Sequence, residues 1–118
     1  MLLRASGEHQ GIDYELRAVS KEGFESGVAH GELLIEFANA VMTPGTERLD
    51  AARAAVLDAM GPKALVECAA VAANFNQMVR IADSTGIPID AMALGMTAAT
   101  RETLDIDHFH SARNTLGG

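Results

Sequence analysis

Two residues with reactive side chains, Glu67 and Cys68, stand side by side in the most apolar part of the sequence. A carboxylate that is deprived of water on an apolar helix can serve as a general base. A thiol can serve as a peroxidatic or sensor group when nearby positive charge or a helix N-terminus activates it, but neither is evident around Cys68, where Lys63 is the only cation in that part of the segment. Both residues are therefore candidate catalytic residues. Each also has a structural interpretation: Cys68 as a small buried apolar residue, and Glu67 as a helix carboxylate that reaches solvent or Arg53.

A second group of side chains, at Asp107-His108-Phe109-His110, contains the residue types that bind metals. Two histidines in a His-x-His pair share a face on an extended strand, whereas on a helix they point about 200° apart. A metal site would need more ligands, for example His9 or His30. His108 and His110 are thus candidate metal ligands. The alternative is a polar tail in which Phe109 packs against a neighbour, and no cofactor is predicted.

Glu67 and Cys68 lie on a helix that the sequence predicts from Lys63 to Thr85, before the stop signals Gly86 and Pro88. Its first half is apolar on all sides, which is typical of a helix that is buried on most sides. In its second half, Phe75 and Met78 could fill the core or line a pocket for a small molecule.

Three further helices are predicted around this one. Apolar residues at three-and-four spacing predict a helix over residues 33–41, ended by Pro44-Gly45. Another helix starts after Thr46 and is broken at Gly61-Pro62. The last is capped by Asp90 and runs from Ala91 to Thr103.

The two ends of the chain carry weaker signals. Several glycines interrupt residues 1–30, so this segment is predicted to be loosely organised, with one short helix from Asp13 to Val19 that Asp13 caps. Residues 104–118 are predicted to form a flexible tail or to be held by a partner chain.

Composition favours one all-α domain spanning residues 1–118, because 48% of the residues are hydrophobic while only 4% are aromatic. A domain of this size buries a modest share of its surface alone, so self-association would help to stabilise it. A net charge of -7 argues against nucleic acid as a partner. The single cysteine excludes an internal disulfide, and no apolar run is long enough for a membrane span. A cytoplasmic location is predicted.

Four short motifs carry a family resemblance: Ala64-Leu65-Val66-Glu67, Phe75-Asn76, Arg80 to Asp83, and Gly86 to Pro88. In this order they resemble the C-terminal portion of an alkylhydroperoxidase D-like or carboxymuconolactone decarboxylase-like chain. The resemblance implies a compact all-α bundle that forms a homo-oligomer. It also implies either hydroperoxide reduction, an antioxidant activity, or decarboxylation of a small organic acid.

The redox branch of that family works through a Cys-x-x-Cys pair and a following His on an earlier helix. Here the pair would fall at or before Met1, and one thiol cannot supply both the attacking and the resolving group. No catalytic residue of the family can be carried over, so enzymatic activity is left open. Either the natural start lies upstream, or the chain is a divergent member without the redox site. The alternative function is a non-catalytic helical module for oligomeric interaction or for binding a small ligand.

Overall fold

The computed structural model describes residues 2–21 and 23–116, and every regular element in these ranges is helical. This confirms the all-α class. Within the same ranges no helix is long and apolar enough to cross a membrane. The α-helices are α1 (Leu2–Gln10), α2 (Gly31–Met42), α3 (Glu47–Thr85), α4 (Ala91–Met96), α5 (Ala98–Leu104) and α6 (Arg113–Leu116). Short 3₁₀ turns cover Leu16–Val19, Ile106–His108 and His110–Ala112. The chain divides into two compact units: a central unit of residues 28–78 and a terminal unit of residues 1–27 and 79–118.

The central unit is built on a small apolar core. Phe37 and Ala40 on α2 are buried together with Ala52 and Val56 from the first half of α3. Partly buried apolar side chains surround them: Leu33, Val41, Leu49, Met60, Leu65 and Cys68. Because α2 spans Gly31–Met42 and buries Phe37 and Ala40 on one face, the amphipathic helix predicted over residues 33–41 is confirmed.

An ion pair ties the two sides of this core together at the surface. Arg48 donates from Nε to Oε1 and from Nη2 to Oε2 of Glu36, both at 2.6 Å. These hydrogen bonds from Arg48, more than its charge, hold the pKa of the Glu36 carboxyl below its ordinary value. The pair links α2 to α3 in a fixed geometry.

The break predicted at Gly61-Pro62 is confirmed inside α3. Gly61 has φ 84° and ψ 173°, a backbone conformation that glycine adopts readily and other residues rarely do. Pro62 then begins the second half of α3. The predicted end of that half is also confirmed. Gly86 adopts φ 66°, and the amide of Ile87 donates to the carbonyl of Ala82 at 3.1 Å, which closes the last turn.

Asp90 caps α4 as predicted, because its carboxylate accepts a hydrogen bond from the amide of Ala93 at 2.8 Å. The single helix predicted from Ala91 to Thr103 is wrong, since α4 and α5 are separate helices that meet at Thr97. The hydroxyl of Thr97 donates to the carbonyl of Ala93 at 2.7 Å, a local bond that competes with helix propagation.

The N-terminal segment contains a helix that the glycine count obscured. Gly7 lies inside α1, and Gly11 ends this helix with φ 69° while the amide of Ile12 donates to the carbonyl of Gly7 at 2.8 Å. The following 3₁₀ turn is capped by Glu15, which accepts from the amide of Arg17 at 2.9 Å, so the assignment of this cap to Asp13 is wrong.

Gly7 is expected to be intolerant of a side chain. A Cβ at this position would lie 2.4 Å from the carbonyl oxygen of Ile12 and 2.8 Å from the ring of Tyr14. We expect Gly7→Ala to lower the free energy of unfolding by about 1–3 kcal/mol in urea denaturation. Gly95→Ala is the matched control, because a Cβ at Gly95 meets open space within α4, and it should be neutral or stabilising by about 0.5–1 kcal/mol. Equal effects of the two substitutions would contradict this packing.

The described part of the C-terminal segment consists of short helical turns. The amide of Ile89 donates to Oγ1 of Thr115 at 2.8 Å, and the side chain of Asn114 lies 3.9 Å from the Cβ position of Gly86. These contacts hold the segment against the end of α3 within the terminal unit. Its flexibility stays a prediction.

Candidate functional site

A line of apolar side chains runs along one face of the second half of α3. Ala64, Cys68, Val71, Phe75 and Met78 recur at intervals of four, three, four and three residues, and we call them the apolar seam. This average interval of 3.5 residues is the spacing that lets two helices pack along their length. Val71, Phe75 and Met78 are 58%, 61% and 56% exposed. Three large apolar side chains of the seam are therefore in contact with solvent.

This exposure corrects the expectation that the helix is buried on most sides. Within the central unit, Leu65 and Cys68 pack against the core, but Val66 on the far side is 68% exposed. The physical reason is that α2 and the first half of α3 cover one side of the helix only. When apolar residues lie all around a helix, the sequence does not indicate which side its neighbours will cover.

An apolar groove of about 310 Å³ opens beside the seam. Its walls come from α2 and the second half of α3, and its lining is almost entirely apolar. The lining residues are Leu34, Phe37, Ala38, Glu67, Cys68, Val71 and Ala72. Because Cys68 and Val71 belong to both features, the groove and the seam form one continuous surface.

Glu67 and Cys68 both border this groove. Glu67 is 65% exposed, and its Oε1 lies 3.8 Å from Nζ of Lys63. Arg53, the partner considered from the sequence, pairs with Asp50 at 2.7 Å instead. Glu67 therefore does not sit in the dry environment that favours a general base. Cys68 is half-buried and packs against the core.

The two histidines of the tail lie on separate turns. His108 closes one 3₁₀ turn and pairs with Asp105, its Nε2 lying 3.0 Å from Oδ1. His110 opens the next turn and lines a more polar groove of the terminal unit, together with Asp83 and Arg113. Among residues 2–21 and 23–116, no group of three or more metal-binding side chains comes together. A metal role for His108 and His110 stays a prediction without further ligands in the described chain.

The seam is the feature that the sequence interpretation missed. Its four-three spacing was present in the sequence, but the apolar residues around it concealed the pattern. Only the exposure of Val71, Phe75 and Met78 separates the seam from the core-facing residues.

The geometry defines an all-helical protein with an exposed apolar helix face and an adjoining groove. Comparison of the chain with protein-family models, with curated proteins and with solved structures found no match.

Proposed function

We propose that this protein is a non-catalytic helical module that associates with a second copy of itself through the apolar seam. The observation that carries the proposal is the alignment of Val71, Phe75 and Met78 along one helix face, each more than half exposed. Clustered apolar side chains on a protein surface mark interaction sites, because covering them removes apolar surface from water.

A second copy fits this surface because a two-fold axis lets one seam cover its identical counterpart. The seam carries no charged side chain, so pairing buries no ion even though each chain has a net charge of -7. The central unit also has little core of its own, with four buried apolar residues among those described. Association would enlarge that core.

The resemblance to alkylhydroperoxidase D-like or carboxymuconolactone decarboxylase-like chains belongs to this proposal, since it implies an oligomeric all-α subunit. A reducing, cytoplasmic location also belongs to it, because Cys68 is unpaired.

The second candidate is the chemistry that the resemblance implies, hydroperoxide reduction or decarboxylation of a small organic acid. One observation favours it: Glu67 and Cys68 line the same groove. Against it, Glu67 is exposed beside Lys63, and a two-thiol cycle needs a second cysteine. The groove would also suit a small apolar ligand. The interaction module remains the better supported function.

Phe75→Ala tests the proposal. Large aromatic residues dominate the affinity of interfaces, so we expect this substitution to weaken dimerisation by about 30-fold or more in sedimentation equilibrium. Val66→Ala is the matched control, because Val66 is 68% exposed on the same helix but about 140° around it from Val71. It should leave the dissociation constant unchanged. A wild-type protein that stays monomeric at about millimolar concentration, where even weak pairs form, would overturn the proposal.

A further inference from the structure

The seam is asymmetric along its length. Its first half has the small residues Ala64 and Cys68, and the groove opens beside this half. Its second half has the large residues Phe75 and Met78, which are 61% and 56% exposed. Each chain therefore presents a depression at one end of the seam and a protrusion at the other.

Only one direction of pairing brings these unlike ends together. If the two helices run antiparallel, a register centred on Ala73 places Cys68 opposite the partner's Met78 and Val71 opposite the partner's Phe75. One register therefore aligns all four of these positions, and it places both large side chains over the groove. Antiparallel helices also have opposed macrodipoles, which is the favourable arrangement.

A parallel pair would have the opposite effect. Phe75 would then meet the partner's Phe75, and the two grooves would lie side by side without a side chain to fill them. Interfaces pack at a density close to that of protein interiors, so a pairing that leaves two open apolar grooves is disfavoured.

We propose that two copies pair about a two-fold axis with their helices of residues 62–78 antiparallel, Phe75 and Met78 of each filling the other's groove. In the groove they would contact Leu34, Phe37 and Cys68. This inference rests on the proposed self-association. It goes further by naming the occupant of the groove, the Phe75 and Met78 side chains of the second copy.

The area available matches a small, reversible interface. Burying one large apolar side chain removes on the order of 100 Å² from water, and each subunit contributes three such side chains in addition to its groove walls. The six side chains of the pair therefore remove on the order of 600 Å² from water, and the groove walls add to this, which is the size of a weak, reversible interface. We therefore expect a dissociation constant of about tens of micromolar or weaker.

Disulfide trapping distinguishes the two directions. In the antiparallel register, Met78→Cys places a thiol opposite the partner's Cys68, so mild oxidation of this variant should give a covalent dimer on a non-reducing gel. Wild-type protein should not cross-link, because Cys68 and the partner's Cys68 would lie about 15 Å apart along the axis, beyond disulfide reach. Met78→Cys combined with Cys68→Ser should not cross-link either, because position 78 and the partner's position 78 would also lie about 15 Å apart along the axis.

A second set of variants covers the case in which Met78→Cys weakens pairing. Val71→Cys and Phe75→Cys, each combined with Cys68→Ser, should form a covalent dimer when the two proteins are mixed and oxidised. Rapid cross-linking of wild-type protein through Cys68, or a dimer that neither design traps, would overturn the antiparallel pairing. Either result leaves self-association intact, whereas a monomeric wild-type protein would overturn both proposals.

Discussion

Replacing Val71 with glutamate is expected to leave the protein monomeric. Val71 is 58% exposed in the single chain, so a glutamate is tolerated there before association. In the proposed pair it lies next to Ala73 at the two-fold axis, opposite the partner's Phe75, where a carboxylate would be buried without a cation. Burying an unpaired charge costs at least about 3 kcal/mol, which corresponds to a loss of more than about 100-fold in affinity. Sedimentation equilibrium at tens of micromolar would measure it.

Val66→Glu is the control for this substitution. Val66 is 68% exposed on the same helix but outside the seam, so the added charge should leave dimerisation unchanged. Circular dichroism of both variants should match that of the wild type. If Val71→Glu and Val66→Glu associate equally well, the seam is not the interface.

Replacing Phe37 with alanine is expected to have the largest effect on folding. Phe37 is 3% exposed and packs with Ala40, Ala52 and Val56, so its removal leaves a cavity in the core of the central unit. Truncations of buried phenylalanine cost about 3–5 kcal/mol, a large share of the total stability of a small domain. Urea denaturation followed by circular dichroism should show this loss.

Phe37 also lines the groove, so its effect on folding must be separated from its effect on association. Measuring Phe37→Ala in the monomeric Val71→Glu background removes the contribution of the partner. Val66→Ala in the same background should change stability by less than about 0.5 kcal/mol, because Val66 is exposed. A loss below about 1 kcal/mol for Phe37→Ala would contradict the core described for the central unit.

The residues that start and end helices could be identified from the sequence alone, because their effects are local. Gly61 and Gly86 adopt positive φ, and Asp90 accepts the hydrogen bond that starts α4. Each of these effects depends on a residue's own backbone freedom or on an amide three positions away. The all-α class followed from composition in the same way.

Other features could not be predicted, because they depend on contacts between residues five to seven positions apart. Gly7 does not interrupt α1; its missing side chain makes room for Ile12 and Tyr14. The interruption at Thr97 coincides with the side chain of Arg101, which donates to the carbonyl of Leu94 at 3.1 Å. Neither contact has a signature in the spacing of apolar residues.

The candidate site also combines features that the sequence determined with features that only the tertiary structure decided. The sequence by itself determined that a helix runs from Lys63 to Thr85 with an apolar first half, and that Glu67 and Cys68 lie next to each other on it. It also contained the four-three spacing of the seam. The spacing fixes which side chains share a face of the helix, but it does not determine which face packs against neighbouring helices. Only the tertiary structure decided that α2 covers one side, that Glu67 reaches solvent beside Lys63, and that Val71, Phe75 and Met78 stay exposed.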